Sequence, residues 1–385
     1  MSGFMLFAST SVLLALLYIF VQLRYLKSWE QLPDNTAPPF FLPQSSISIL
    51  VPARNEAATI GICLESLRTQ DYPKQLFEII VIDDHSTDET SRIVQSYPDV
   101  QCIHLSEHLP AQVRINSYKK EALDLGVRLA KNELIVCTDA DCIASPNWLR
   151  HIACSFESKS ALHMLTGPVL VNKKSGFVGA FQAMDFIGMM AITAAGYPLG
   201  WHQMGNGANL AYRKSSYLAV GGFNNIKSRA SGDDLFLLEK MEVHFPGGVQ
   251  FLKSNQAVVF TQPEPDLKSF FLQRLRWGSK NSALRSLPIR LILLLVLVFS
   301  IATLAALIYL LFNPGWKLLA LTMFLLFAKT AADAILLRSS ARFWNASIKP
   351  LHLVLGSGFH TLYICLTGLS SLLVRNYSWK GRNVR

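Results

Sequence analysis

Aspartates stand side by side, or one residue apart, at three points of this chain: Asp83-Asp84, Asp139-Ala140-Asp141 and Asp233-Asp234. Close carboxylates repel one another and lose hydration in a crevice, so they persist where a cation or hydrogen-bond donors balance them. A divalent metal supplies such a balance. Hard oxygen ligands at i and i+2 suit Mg or Mn, which bind through one or two carboxylates while substrate phosphates fill other positions. Asp139 and Asp141 are therefore the metal-ligand candidates. Asp233 and Asp234 open the stretch "DDLFLLEKM", in which Leu235, Phe236 and Leu238 suit an apolar helix face. Their charge then falls at the positive end of a helix dipole, a place where capping alone also favours Asp.

Local patterning says what must hold these groups. The run Ile47 to Val51 reads as a strand that stops at Pro52 and passes through a polar loop into a helix from about Ala57, with Ile60, Cys63, Leu64 and Leu67 at helical spacing. Glu78 to Ile82 is a second strand ending in Asp83-Asp84, with Thr87 or Asp88 as the cap of the next helix. "KKEALDLGVRLAKN" is a further helix, and Leu134 to Thr138 is the strand that runs into Asp139. Strands and helices in alternation predict an α/β fold, a parallel sheet covered on both faces, whose ligands lie outside the carboxyl ends of the strands. The loop Pro52 to Glu56, the Asp83-Asp84 pair and Asp139-Ala140-Asp141 all fall on that edge. No G-x-G-x-x-G follows the first strand, which disfavours a dinucleotide site.

With 51% hydrophobic and 16% charged residues among 385, the chain is too apolar for an ordinary soluble enzyme. Phe4 to Leu23 carries no charge over a length that crosses a hydrocarbon core as a helix, and lacking a small-residue cleavage site it reads as an anchor. Leu291–Phe312, Leu318–Leu337 and Leu351–Val374 are further apolar runs. Lys329 and Asp333 interrupt the second of these, and ionisable groups there face a partner helix or a polar cavity. The expected plan is an N-terminal anchor (1–27), a large α/β domain (45–285) ending in an interfacial helix, and a C-terminal bundle (288–385) of two or three spans.

Arg24, Lys27, Lys280, Arg285, Arg290, Arg338, Arg342 and Lys349 flank the spans and put the large domain in the cytoplasm, at an inner or plasma membrane. Arg375, Lys380, Arg382 and Arg385 point the other way unless the last run, with its Gly356-Ser357-Gly358 break, stops short of a full crossing. The net charge of +10 gathers beside these spans, so anionic headgroups rather than nucleic acid are the expected partner. Six cysteines without CxxC or metal-finger spacing predict reduced, structural thiols.

Six motifs in order, "VPARNE", "VIDDHSTDET", "DAD", "GNGANLAYRKSSYLAVGGF", "SGDD" and "QRLRW", make residues 45–285 resemble the inverting family 2 glycosyltransferases. These have a Rossmann-like nucleotide-sugar fold called GT-A. The Q-x-x-R-W ending before apolar runs resembles the membrane-integrated branch, which holds polysaccharide synthases and ceramide glucosyltransferases. The resemblance implies that Pro52, Arg54 and Glu56 line the nucleotide base and ribose, and that Asp84, with Asp83, hydrogen-bonds a uracil. Lys120 stands at the family's basic position near the nucleotide, where a solvated helix lysine would look the same. Asp139 and Asp141 fall on the metal and diphosphate motif, Asp141 as the direct ligand.

Asp234 takes the position of the family's general base, with Asp233 at its neighbouring Glu. Gln273, Arg276 and Trp277 match Q-x-x-R-W, Arg276 facing the departing diphosphate and Trp277 the acceptor entrance. The glycines from Gly196 to Gly222 are too many for a packed helix and suit backbone approaching a ligand. By resemblance Trp201, His202 and Asn206 belong to the acceptor pocket. Trp201 fits a core or interface position equally, and His202 is a second candidate for the base. The expected activity is transfer of a sugar from a nucleotide sugar of the UDP class to a lipid-linked acceptor. Processive polysaccharide synthesis is the alternative, followed by nucleotidyl transfer, which uses similar carboxylates but does not need Q-x-x-R-W.

Overall fold

Aliphatic side chains run without interruption through Ile49-Leu50-Val51, Ile79–Ile82 and Leu134–Val136, and all are buried. A strand that carries no polar alternation has no face to give to water, so it belongs at the centre of a sheet covered on both sides. The computed structural model describes residues 2–109, 117–172, 174–224, 232–278, 286–373, 377–379 and 382–384. The elements used below begin with α1 (Ser2–Gln31), β1 (Ile47–Ala53), α2 (Ile60–Arg68), β2 (Phe77–Asp83), α3 (Thr90–Gln95), β3 (Val100–His104), α4 (Tyr118–Leu129), β4 (Leu134–Cys137), β5 (Ile143–Ala144) and α5 (Trp148–Ser158). After them come β6 (Met164–Thr166), β7 (Val169–Val171), α6 (Phe177–Leu199), β8 (Leu210–Arg213), α7 (Lys214–Ala219), α8 (Asp233–His244), β9 (Val249–Phe251) and β10 (Val259–Thr261). The chain continues through α9 (Leu267–Gly278), α10 (Leu287–Phe312), α11 (Trp316–Phe343) and α12 (Pro350–Leu373).

Two compact units result: a sheet unit of Pro33–Asn172, Gln203–Gln262 and Asn376–Arg385, and a helical unit of Met1–Leu32, Lys173–His202 and Pro263–Arg375. In the sheet unit seven strands lie in the order β3-β2-β1-β4-β8-β6-β9. The first four are mutually parallel, as the α/β expectation has it, while β8 runs antiparallel to both β4 and β6. The strand order reverses direction between β1 and β4, the kind of switch point where open α/β sheets bind ligands. Register sets the heights there: Ala53 pairs with Asp83 and Leu50 with Cys137, so the polar loops after β1, β2 and β4 emerge at one edge. On one face α4 lies close over β1 and β2, because a Cβ at Gly126 would stand 2.9 Å from the Ile82 side chain.

Asn209 ties the other half of the sheet unit together. Its side chain accepts the Trp148 indole N–H at 2.9 Å and donates to the Pro168 and Ala257 carbonyls at 2.9 and 3.0 Å, all in the interior. Gly167 lacks a Cβ for the same reason, since one would fall 2.3 Å from the Asn209 amide.

The helical unit differs from the expected plan. Among the described residues five helices, not four, are long and apolar enough to cross a membrane: Gly3–Gln31, Phe177–Leu199, Leu287–Phe312, Trp316–Phe343 and Pro350–Ser370. The second is α6, which lies inside the stretch 45–285 expected to be one α/β domain; α9 also falls in the helical unit. α6 is as apolar as the last of the runs read from the sequence, and one side of it packs on protein. Gly196, expected in an open glycine-rich loop, is inside α6, where the bare backbone lets the His202 ring approach: a Cβ there would stand 2.2 Å from it. The break expected at Gly356-Ser357-Gly358 is also absent, for α12 runs continuously through it. Gly356 serves close helix packing, since a Cβ would meet the Met184 Cε at 2.2 Å. Lys280, Arg285, Arg375, Lys380 and Arg385, used above for orientation, lie outside the described residues.

His202 is buried in this unit, with Nε2 paired to the Tyr25 hydroxyl at 2.9 Å. Burial pushes its imidazole down to about 4, so the folded chain holds it neutral while an unfolded chain protonates it near the ordinary value of 6.5. The unfolded state then binds the extra proton, and stability falls as pH drops through the window from 6.5 towards 4, by roughly 2 kcal/mol between pH 7 and pH 5. Thermal unfolding of the purified chain at these two pH values should show a larger fall for the wild type than for His202→Gln. In the sheet unit, Asn209→Ala should cost about 3 kcal/mol, because it leaves an indole N–H and two carbonyls without their partner. The same melting measurement checks it.

Candidate active site

Three strand ends and two helix starts of the sheet unit converge at the switch point. After β1, the Arg54 guanidinium Nη1 donates to the Asp84 and His85 carbonyls at 2.7 and 3.0 Å and lies 4.0 Å from the Asp84 carboxylate. The loops after β1 and β2 are thereby joined. Asn55 and His85 adopt left-handed backbone, with φ of 52° and 54°, as the two loops turn past one another. Asn is among the residues that accept this conformation most readily; His85 is held there by its surroundings. Glu56 N–H donates to the buried Thr90 hydroxyl at 2.8 Å, and its carboxylate accepts from Thr59 at 2.9 Å, which anchors the start of α2. Pro52 is half-buried as the next-to-last residue of β1.

Asp83 and Asp84 are both buried at the end of β2. Each has an imidazole beside it: His104, the last residue of β3, stands 3.3 Å from Asp83, and His85 stands 3.0 Å from Asp84. Neither histidine figured among the candidates. His85 had a signal, since it directly follows the acidic pair, whereas His104 is brought in only by the register of β3 on β2.

Asp139 and Asp141 follow β4. The Lys119 ammonium lies 2.6 Å from Asp139, and Asp141 accepts a weak bond from the Cys142 thiol at 3.3 Å. Burial, reinforced by the charges of Asp141, Asp139 and Glu56, pushes the Cys63 thiol up. The Cys63 thiol on α2 also lies 3.6 Å from the Asp139 carbonyl, which sets α2 beside the loop after β4. Cys142 is pushed up as well, first by burial and then by Asp141 and Asp139. All six cysteines are free thiols.

Lys120 is fully buried, not solvated. Its ammonium sits 5.6 Å from the centre of the Phe236 ring on α8, within cation–π range. One turn of α4 therefore reaches both ways: Lys119 holds Asp139, and Lys120 reaches α8 two residues beyond Asp234. Gly232 starts α8 with φ of 85°, and a Cβ there would meet the Phe236 ring at 2.8 Å, so glycine is required on both counts. Asp234 accepts the backbone N–H of Leu235 at 2.8 Å. Asp233 is the first residue of α8, and its side chain lies outside the described residues. Asn206 belongs to the loop before β8, where its side chain accepts the Ala208 N–H at 3.1 Å; a Cβ on neighbouring Gly205 would stand 2.9 Å from Leu238 of α8.

The remaining candidates belong to the helical unit. Trp201 packs edge-on against Tyr25, with ring centres 5.2 Å apart, and His202 is buried beside it. Their packing is that of interior groups. Gln273 donates to Glu264 at 2.7 Å, and Trp277 lies with the Arg274 guanidinium 4.3 Å from its ring centre. Arg276 is half-buried on α9, while Arg274, which was not among the candidates, is the buried arginine of this helix.

Two hard-oxygen side chains one residue apart, with an ammonium already drawn to one of them, fit a divalent cation. Among the described residues no third His, Cys, Asp or Glu completes a protein-only metal shell. Such a site leaves positions for substrate phosphate, which is how Mg is usually held.

Two family models match the chain: "Glycosyl transferase family 2" over residues 48–180 and "Glycosyl transferase family group 2" over residues 134–337. The poly-β-1,6-N-acetyl-D-glucosamine synthase of Staphylococcus epidermidis is 28% identical over 143 residues, which are 36% of this chain and 32% of that protein. The β-monoglucosyldiacylglycerol synthase of Synechocystis is 26% identical over 239 residues, 58% of this chain and 47% of that protein. The chain thus spans between about a third and about half the length of these curated relatives. In fold it is similar to a mannosyltransferase from Pyrobaculum calidifontis, solved in complex with GDP-Man and Mn2+, at a TM-score of 0.58 and 19% identity over 96% of this chain and 97% of that one. The mixed α/β fold with its central sheet is GT-A-like, and since the second family model runs from β4 into α11, across more than half of the chain, this protein is a family 2 glycosyltransferase.

Proposed function

We propose that the chain moves one sugar from a nucleotide sugar of the UDP class to a lipid-linked acceptor, with inversion at the anomeric carbon, at the cytoplasmic face of an inner or plasma membrane. The observation that carries this reading is the first turn of α4, where adjacent lysines reach the "DAD" carboxylate and the helix that Asp234 opens. It supports a common place for a diphosphate and a base.

In this reading Asp234 takes the proton from the acceptor hydroxyl as its oxygen attacks the anomeric carbon, and the bond from that carbon to the nucleoside diphosphate breaks on the opposite side. Asp233 flanks the base. Asp139 and Asp141 would hold Mg or Mn, whose charge when bound offsets that of the leaving diphosphate. Pro52, Arg54 and Glu56 line the base and ribose, Asp83 and Asp84 face the uracil, and Lys120 adds positive charge beside the nucleotide. Gln273 and Arg276 serve the diphosphate, and Trp277 and Asn206 the acceptor, while the interior packing of Trp201 and His202 speaks against the acceptor role expected for them. The apolar helices among the described residues favour a lipid over a free glycan as acceptor, in keeping with the similarity to a glycolipid synthase, while the similarity to a polysaccharide synthase leaves polymer synthesis as the second reading.

The test uses the full chain in detergent with lipid extract and labelled UDP-glucose, UDP-N-acetylglucosamine or GDP-mannose. One discrete glycolipid and stoichiometric release of nucleoside diphosphate are expected; a ladder of products would mean polymer synthesis, and pyrophosphate release would mean nucleotidyl transfer. Asp234→Asn should lower kcat by about 10³-fold with donor KM nearly unchanged. Turnover retained in that variant would place the base elsewhere.

A further inference from the structure

The helical unit contains a polar centre that the sugar-transfer reading does not use. Lys329 and Asp333 of α11 pair at 2.6 Å, the Tyr18 hydroxyl of α1 donates to the same carboxylate, and His360 of α12 lies 3.2 Å from the Lys329 ammonium. A second pair joins Arg274 of α9 to Asp185 of α6 at 2.6 Å, with the Tyr363 hydroxyl 3.4 Å from that carboxylate. Charges within segments apolar enough to span a membrane are costly and stay only where partners or a function hold them. Between these pairs lies a cavity of about 160 Å³, lined by Tyr18, Gln22, Asp185, Asp333, His360 and Tyr363, with Thr330 and Ser357 beside them and mostly apolar residues over the rest.

We propose that this cavity binds the head of one neutral lipid carrying a free hydroxyl. Three observations select that class. Its volume is close to that of a cavity of roughly 150 Å³ that takes up benzene, so it accommodates a small head group. Each carboxylate already faces its own cation, so the lining has no surplus charge to offer a phosphate or an ammonium. The side-chain carbonyl of Gln22, a residue 7% exposed, has no hydrogen-bond partner among the described residues. A buried acceptor left unmade is expensive, and a ligand hydroxyl is the donor that satisfies it without adding charge. The apolar remainder of the lining, with Met184, Ile192 and Leu337 among it, suits the adjoining hydrocarbon.

The assignment concerns binding alone and is read without any sugar donor, so its failure would leave the Asp234 test untouched. Native mass spectrometry of the full chain, released from detergent after incubation with 1,2-dioleoylglycerol, should show a single retained lipid. Trioleoylglycerol, which has no hydroxyl, and dioleoyl phosphatidic acid, which is anionic, should be retained at least about tenfold less. Gln22→Leu should reduce dioleoylglycerol retention by about tenfold, the effect of one buried hydrogen bond. Should that variant fail to fold, Ala334→Phe, which places a ring at the cavity wall, should abolish retention. Equal retention of trioleoylglycerol, preference for phosphatidic acid, absence of any retained dioleoylglycerol, or undiminished binding in the variant that folds would each overturn the proposal.

Discussion

The Lys119–Asp139 pair is the contact on which the site most depends. A buried strand, β4, ends in two carboxylates that repel one another, and an ammonium 2.6 Å from the first of them offsets part of that repulsion. Because the lysine belongs to the first turn of α4, the same contact fixes where that helix begins. The next residue then falls on the inner face and meets Phe236. Electrostatic balance and helix placement are thus one constraint, satisfied by two adjacent lysines.

Much of the sheet unit was legible because its central strands are buried on both faces and therefore lack polar residues. The runs from Ile47, Ile79 and Leu134 announced themselves, and the acidic residues at their ends followed from the ligand-edge rule for such sheets. Strands β8, β6 and β9 were not legible. They are short, and β8 enters antiparallel from a distant part of the chain, so no local signal marks its place beside β4. Lys120 could be read as solvated because a helix periodicity cannot say that an aromatic ring from α8 will cover one lysine and not its neighbour. His104 and Asn209 are cases of the same kind, for their partners are set by register and by loop return across long sequence distances.

In the helical unit, α6 is passed over although it is as apolar as α12, because it lies inside the stretch that the ordered motifs assign to one α/β domain. Its polar groups find partners on other helices: Gln182 exchanges two hydrogen bonds with the Glu264 backbone, and Asp185 meets Arg274. The exposed helix α10, by contrast, has no such constraint on its lipid-suited faces and was found almost residue for residue. Lys329 and Asp333 behaved as ionisable groups in an apolar run should, pairing inward rather than outward.

Gly196 and His202 show how packing can bind two positions into one heritable unit. The imidazole occupies the space that any side chain at 196 would need, 2.2 Å from where a Cβ would be. A change at either position alone therefore leaves a collision or a void, while a paired exchange of small for large restores the fit. Homologous chains should accordingly trade bulk between these two sites, and that covariation is a signature of the turn after α6 which no single sequence displays.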